Sequence, residues 1–463
     1  MSETTKPKLR AIESFLKKRR EEAEQNKKTY VIEVVTPMFG GGVETGEVDE
    51  TMPVRATEIR GHLRYWWRLL YGADYPDIKK LFDAESRLWG NTKTPSKVDT
   101  NVIQNPPDKK GNKNYWRENA GSGYGFEKFG PELYALFPAT QGETPCLQLL
   151  REGYKFKLEL IFSSLLTDRE KLEIENAVLT WIRFGGVGAR TRRGCGALHL
   201  IATEPSSENN IDNTFLTSID IYLFDSDEMT PLTAEMTPLT AWNKALEIYR
   251  DYRQSFRGNK RKKKLRSGNV ILVPGRSKWP EPDAIRAITG CALSGHLGHS
   301  KPVVSDIFLN AFPRAVLGLP INFHFSDGPR KKAPAKHYLD PADAELFPNI
   351  SAVKKDKPPL DRMASPIITK PILIKGKWYP MIAILPYEHA LTMNARLTFQ
   401  SSRGKKEEKT IEKQHISGQR FLKNELVPMS GHSNAIKGLI AHLTKNSFVE
   451  LDIILKQQEV KNA

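Results

Sequence analysis

The stretch that most constrains the fold is YKFKLELIFSSLLTDREKLEIENAVLTWIRFGGVGARTRRGCGALHLIAT, residues 154–203. Tyr154, Phe156, Leu158 and Leu160 alternate with charged residues, the period of a half-buried strand. Thr167 and Glu170 form a capping-box pair that starts a helix running to about Phe184. Five glycines and four arginines fall between Arg183 and Gly196, and GALHLIAT then returns as a strand. Upstream, the β-branched TYVIEVVTP ends at Pro37 and leads through the loop FGGGVETGEVDET into VRATEIRGHLRYWWRLLYG. There Ile59, Leu63, Trp66 or Trp67 and Leu70 recur on one helical face, and Arg60, Arg64 and Arg68 recur on another. With one short strand near Lys97 to Ile103, the order is strand, helix, strand, strand, helix, strand. That order predicts an α+β fold of ferredoxin-like type, the sheet architecture also used by RNA-recognition domains.

At 463 residues the chain exceeds what one hydrophobic core serves, so two domains are expected. Residues 1–28 form a charged leader. The first ferredoxin-like domain takes 29–205, with an insertion at about 104–151 rich in Pro, Asn, Gly and Lys. The second takes 206–463, with strands in SIDIYLF, LPINFHF, SPIITKPILI and WYPMIAIL, and helices in AWNKALEIYRDYRQSF and PDAIRAITGCAL. Basic, Pro- and Gly-rich segments at about 257–268, 326–360 and 401–419 are expected to be extended loops. EMTPLTA occurs twice in tandem, at 228 and 235, and reads as a duplicated linker, since a solenoid needs more copies.

Seventy Lys and Arg against 54 Asp and Glu give a formal charge of +16, which attracts polyanions. Nucleic acid leads among partner classes. An anionic membrane comes second, with no apolar run approaching the roughly 20 residues of a spanning helix. The N-terminus lacks the apolar core of a signal peptide, so a cytoplasmic location is expected. Cys146, Cys195 and Cys291 lie far apart and form no CxxC pair, which points to neither a disulfide framework nor a cysteine zinc site.

The glycine-arginine loop leaves a helix and enters a strand, the reverse of the order a nucleotide-binding loop needs, and neither GxxxxGK[ST] nor a full GxGxxG is present. The earlier GGVETGE is followed by Glu47 rather than Lys, and its carboxylates Glu44, Asp49 and Glu50 repel phosphate. What the Arg190–Gly196 loop offers is pliant backbone, amides expected to be exposed, and guanidinium groups for bidentate phosphate contacts. Those features suit a long polyanion, RNA above all.

TPMFGGGVETGEVDETMPVRATEIRGHLRYWWRLLYG, FGGVGARTRRGCGAL, GRSKWPEPDAIR, FPRAVLGLPINFHF and RMASPIITKP together resemble the signature blocks of the Cmr subunit-one family, RAMP-superfamily proteins of type III-B CRISPR effectors. They span roughly Thr36 to Pro371 in order. The resemblance implies two ferredoxin-like RAMP domains and a cytoplasmic ribonucleoprotein in which a guide RNA pairs with target RNA beside other Cmr RAMP subunits. It implies a subunit that holds the 3′ part of the guide and is not a nuclease. By position it maps RNA contact onto Gly185, Gly186, Gly188, Arg190, Arg192, Arg193, Gly194 and Gly196, and onto Arg55, Arg60, Arg64 and Arg68 of the first helix. In the second domain Arg276, Arg286, Arg314 and Arg362, with Trp279, fall in matching blocks and are open to either RNA contact or packing.

Trp66 and Trp67, at core spacing with Leu63 and Leu70, are expected to be buried rather than to stack on bases. The run RGNKRKKKLRSG, Arg257 to Gly268, has seven cations and no acid, and reads as a solvated loop able to add salt-dependent affinity. His62 and His199, the histidines of the first domain, read as structural. His296 and His299 have metal-capable spacing but no carboxylate or cysteine close by in sequence. Glu44, Glu47, Asp49 and Glu50 are where a magnesium nuclease would find ligands, and also where the basic helix would find countercharge. No catalytic residue, metal or cofactor is assigned. Three readings stand: a non-catalytic guide- and target-RNA-binding subunit, a RAMP endoribonuclease, and an assembly protein that ignores RNA.

Overall fold

The structure is a computed structural model of the chain. It describes residues 5–43, 46–105, 115–117, 131–137, 148–205, 219–224, 236–255, 260–264, 270–274, 277–290, 310–325, 341–350, 360–400, 405–422 and 426–451. The chain divides into two compact units: Met1–Ser218 with Thr233–Asn243 and Thr369–Met381, and Ile219–Leu232 with Lys244–Ile368 and Ile382–Ala463.

The first unit opens with helix α1 (Thr5–Gln25), where the sequence alone suggests only a charged leader. Its support is local: Lys17 faces Glu21 and Lys18 faces Glu22, each at 4.0 Å one turn apart. Strand β1 (Lys27–Val34) follows, then α2 (Ala56–Tyr71), α3 (Ile78–Trp89) and β2 (Val98–Gln104). The insertion contributes the short pieces β3 (Tyr115–Arg117), α4 (Pro131–Ala135) and β4 (Gln148–Leu150), with β3 and β4 paired antiparallel. Strand β5 (Tyr154–Phe162), helix α5 (Asp168–Phe184) and strand β6 (Leu198–Glu204) complete the unit.

The sheet order is β2-β5-β1-β6, with each neighbouring pair antiparallel. Numbered by their place in the βαββαβ repeat, the strands run 2-3-1-4, the ferredoxin-like arrangement. Register puts Tyr30 opposite Leu158, Ile32 opposite Phe156 and Val34 opposite Tyr154, so one face of the sheet is apolar and buried. The helices contribute Ile59, Leu63 and Trp67 from α2, and Ile174, Ala177, Val178 and Trp181 from α5, all buried. Trp66 and Trp67 are core residues, as their spacing predicts. The Trp67 indole N–H donates to Glu173 at 3.1 Å, which satisfies the one polar atom that burying this ring brings with it.

A second sheet repeats the topology, in the order β12-β13-β7-β16, built from β7 (Asp220–Phe224), β12 (Ile367–Ile374), β13 (Lys377–Ile384) and β16 (Phe448–Glu450), with Thr369–Met381 of β12 and β13 counted in the first unit. Helix α6 (Pro238–Gln254) follows the first of these strands, and the last helix (Ala435–Thr444) precedes the fourth, so the order is again 2-3-1-4. The α+β reading with two ferredoxin-like sheets therefore matches the fold.

Three segments expected to be loops contain strands. Lys260–Lys264 (β8) pairs antiparallel with Val270–Pro274 (β9). Ala344–Pro348 (β11) and Lys406–Ile411 (β15) join Ile321–Phe323 (β10) and Ala395–Gln400 (β14) in an added sheet, ordered β10-β11-β14-β15. The composition misleads because β15 is an edge strand: Lys406 to Thr410 are exposed and charged or polar, and only Ile411 turns inward. Cys146, Cys291, His296, His299, Glu44, Arg276 and the first EMTPLTA copy lie outside the described residues.

The capping box is present: Thr167 accepts from the Glu170 backbone N–H at 3.2 Å, and Glu170 accepts the Thr167 backbone N–H at 2.9 Å. Thr167→Ala is expected to destabilise the first unit by about 1 kcal/mol, read as a lower denaturant midpoint for that transition with its slope unchanged.

Candidate nucleic-acid interface

The loop between α5 and β6 is where the glycines and arginines collect, and its geometry differs from the pliant, amide-exposing loop the sequence predicts. Its amides are used inside the protein. Val187 N–H donates to Gly196 O at 3.0 Å, Gly196 N–H to Pro37 O at 2.9 Å and Ala189 N–H to Phe39 O at 2.8 Å. Gly188 N–H donates to the Glu58 carboxylate at 2.7 Å. Thr36, at the exit of β1, donates its hydroxyl to Gly194 O at 2.5 Å and accepts Ala197 N–H at 2.8 Å. The loop is thus stitched to the segment that follows β1.

These glycines are there for close approach. A Cβ at Gly196, where φ is +60°, would lie 2.0 Å from Val187 O. One at Gly194 would lie 2.4 Å from Thr369 O and 2.6 Å from the Trp242 indole nitrogen, and Trp242 donates to Arg193 O at 2.7 Å. The earlier glycine loop meets the later one directly, since a Cβ on Gly40 would be 3.0 Å from that of Ala189. The two glycine-rich segments form one floor.

A buried lysine holds the other end. Lys370 is fully buried and its Nζ donates to Ile182 O at 3.0 Å and Gly185 O at 3.1 Å, carbonyls at the C-terminal end of α5. A cation at the negative end of a helix is favourably placed. Burial nevertheless pushes its ammonium from the ordinary 10.5 down to about 7.

On this floor the arginines divide. Arg190 is exposed and held left-handed at φ 60°, a conformation uncommon for a residue with a Cβ. A turn fixes it there, with Arg193 N–H donating to Arg190 O at 2.8 Å. Arg192 is half-buried. It donates to the Tyr65 hydroxyl at 2.9 Å, with its guanidinium 5.6 Å from the Tyr65 ring centroid. Arg193 is 8% exposed and belongs to the packing.

The first-helix stripe is also engaged within the fold, which corrects the expectation of an outward row. Arg64 and Arg68 both pair with Glu85 of α3, at 2.5 and 2.7 Å, and Glu85 is 3% exposed. Arg60 donates to Trp89 O. A carboxylate that far from water needs its countercharge, so the stripe docks α3 onto α2. Arg55, the N-cap of α2, keeps a buried Nε and acts electrostatically on Glu58, whose carboxyl burial pushes up.

In the second unit, packing accounts for two of the mapped arginines. Arg314 donates its backbone N–H to Glu281 at 2.8 Å, and its guanidinium lies against the Trp279 and Phe323 rings at 5.9 and 5.5 Å. Arg286 pairs with buried Asp283 at 3.0 Å. Arg362 is exposed, and Arg276 lies outside the described residues. Of the carboxylates, Asp49 caps its own turn through Thr51 and Met52. His62 packs beside the Trp181 ring at 6.3 Å and His199 beside Trp378 at 5.4 Å. Among the described residues no group of His, Cys, Asp or Glu is placed to hold a metal, and no helix is long and apolar enough to cross a membrane.

Tyr65, Glu58, Trp242 and Lys370 are site residues that sequence reasoning missed. Tyr65 and Lys370 both sit inside motif blocks, but their partners are 127 and 185 or more residues away in the chain.

Fold and site together define an α+β protein with two ferredoxin-like sheets that presents arginines on a glycine-tethered loop at one edge strand. Residues 31–199 match the sequence model of the RAMP superfamily. No curated protein is similar enough to this chain to count as a match. Among solved structures it is similar to Cmr1 from Pyrococcus furiosus in its apo form, at 17% identity over 78% of this chain and 88% of that one, TM-score 0.42. It is also similar to a chain of type III-B Cmr-beta bound to cognate target RNA, at 10% identity over 90% and 99% of the two chains, TM-score 0.35. A third is a chain of Cmr-beta with cognate target RNA and AMPPnP in the presence of single-stranded DNA, at 11% identity over 79% and 97%, TM-score 0.34.

Two outcomes follow from the loop's fastening. Gly196→Ala is expected to unfold or displace the loop, seen as loss of hydrogen-exchange protection at Val187 and Gly196. For Lys370 the unfolded chain holds its proton up to about 10.5 and the folded one only to about 7, so between those values unfolding takes up a proton. Stability then rises with pH across that window. Lys370→Met is expected to flatten this rise in denaturation midpoints measured between pH 7 and 10.

Proposed function

We propose that this chain is a non-cleaving RNA-binding subunit of a type III-B CRISPR-Cas (Cmr) ribonucleoprotein, which holds the 3′ part of the guide RNA and helps engage complementary target RNA beside other Cmr subunits. The RAMP match over 31–199, the ordered motif blocks and the charge of +16 support this reading. The observation that carries it is Arg190 and Arg192 standing on a floor fixed by main-chain bonds. Guanidinium groups on rigid backbone lose little entropy on meeting phosphates. Contacts of that kind fix the register of an RNA strand without reading its bases. Arg362 and the basic strand β8 are further proposed sources of phosphate contact. Arg55, Arg60, Arg64 and Arg68 serve the same end indirectly, by holding the elements that carry the loop, while Arg314 is given to packing in the second unit.

The test is single-stranded RNA binding by the full chain at graded salt, with and without magnesium. The slope of log K against log salt falls by about 0.7 for every phosphate the protein no longer neutralises. Arg190→Ala with Arg192→Ala is expected to lower it by at least that amount, equally for RNAs of different sequence. Binding that ignores salt would overturn the RNA reading, and RNA fragments in either condition would overturn its non-cleaving part.

A further inference from the structure

One cleft in the first unit is untouched by that reading. It lies between edge strand β6 and the tip of the β12–β13 hairpin, has a volume of about 150 Å³, and is lined by Arg183, Leu198, His199, Pro371, Ile372 and Trp378 among others. Trp378 is half-buried, and His199 meets it edge-on, with centroids 5.4 Å apart and planes at 69°. An indole ring, an imidazole edge and a guanidinium over aliphatic walls is a chemistry suited to a flat, polar-edged heteroaromatic ring. Drug-sized ligands fill pockets of roughly 300–1,000 Å³, so this one suits a single ring system.

We propose that this cleft takes one unpaired nucleobase of the bound RNA, stacked on Trp378 with its edge toward His199, while Arg183 meets the adjoining phosphate. The assignment rests on the RNA-binding reading and adds a base subsite to it. Connectivity supports it: the glycine-arginine loop runs from Gly185 to Gly196, with Arg183 just before it and Leu198 and His199 just after, so both ends of the loop open on the cleft. Burial lowers the His199 imidazole, with Glu33 opposing and Lys370 reinforcing, so near neutral pH it offers one donor and one acceptor, as a base edge requires. Burial also brings the Arg183 guanidinium down to about 10, and a phosphate in such surroundings gains more from a cation than in open water. Single-stranded RNA is recognised elsewhere by bases splayed onto aromatic and guanidinium planes in this way.

The experiment compares a fluorescein-labelled uridine decamer with an abasic decamer of the same length, binding to the full chain at low salt. One stacked base contributes about 1–3 kcal/mol, so the wild type should prefer the base-bearing probe by about 5- to 150-fold. Trp378→Ala should remove that preference and leave abasic binding unchanged, and Trp378→Phe should restore most of it. Equal binding of both probes by the wild type overturns the base subsite while leaving the RNA reading intact, and so does a preference that survives Trp378→Ala. Failure to bind either probe counts against the RNA reading itself. Should Trp378→Ala not fold, a decamer of 2-aminopurine answers the question with the wild type alone: stacking in the cleft quenches its emission on binding, and emission that stays at the unbound level sinks the proposal.

Discussion

A methyl group does not fit at residue 196. The Gly196 backbone lies so close to the Val187 carbonyl that a Cβ would sit 2.0 Å from the oxygen. This contact forces the chain leaving α5 to fold back flat on the chain entering β6, and everything at the candidate interface depends on it. With the Val187–Gly196 bond made, the Gly196 N–H is aimed at Pro37 O and the Ala189 N–H at Phe39 O, which brings in the segment after β1. Glu58, Thr36, Trp242 and Lys370 then satisfy further polar groups of the crossing from four other directions. Glycine here gives density rather than mobility. The gain for binding is preorganisation: the exposed Arg190 and half-buried Arg192 are carried by a backbone with little freedom left to lose.

Charge in this chain has two separate uses, and composition does not separate them. The excess of 70 cations over 54 acids describes the partner the protein attracts from a distance. Up close, a sizeable part of the arginine is committed to buried acids: Arg64 and Arg68 to Glu85, Arg286 to Asp283, Arg314 to Glu281. Removing either partner of such a pair strands the other in a low dielectric, so these arginines are as fixed as any leucine of the core. The loop after α5 uses its arginines differently. Arg193 is buried there too, but Arg190 is exposed and Arg192 leans on the hydroxyl and ring of Tyr65.

How much of this was legible follows from how local each signal is. Strand β5, the capping box of α5 and the buried face of α2 are written in periods of two and 3.6 residues, and the folded chain follows them. Helix α1 escapes such a reading because its charged residues dominate the composition and its apolar Phe15 and Leu16 stay exposed rather than joining the core. Strand β15 escapes it because edge position lets lysine and glutamate occupy a ladder. At the site, the positions of the glycines and arginines are visible in the sequence, but not their use. Which amide faces solvent and which arginine faces an acid depends on partners such as Glu58 for Gly188 and Glu85 for Arg64, brought close only by the completed sheet. Lys370 is the extreme case: nothing in IITKP marks a lysine that caps a helix 185 or more residues earlier.

The repeat of the fold shows what is particular to the first unit. Both sheets have the order 2-3-1-4, and in both a helix precedes the fourth strand. In the second unit that crossing takes only Lys445, Asn446 and Ser447, with Ser447 turning the chain at φ 60°. In the first it takes residues 185–197. The short crossing is enough to make the topology, so the ten further residues of the long one are not needed for the fold. They hold Arg190, Arg192 and the glycines that pin them, and the flanking residues of the same crossing line the Trp378 cleft. Function in proteins resides in sites grafted onto folds rather than in the folds themselves. In this chain the graft is the lengthened helix-to-strand crossing, and the second sheet, built on the same plan without it, is the internal control.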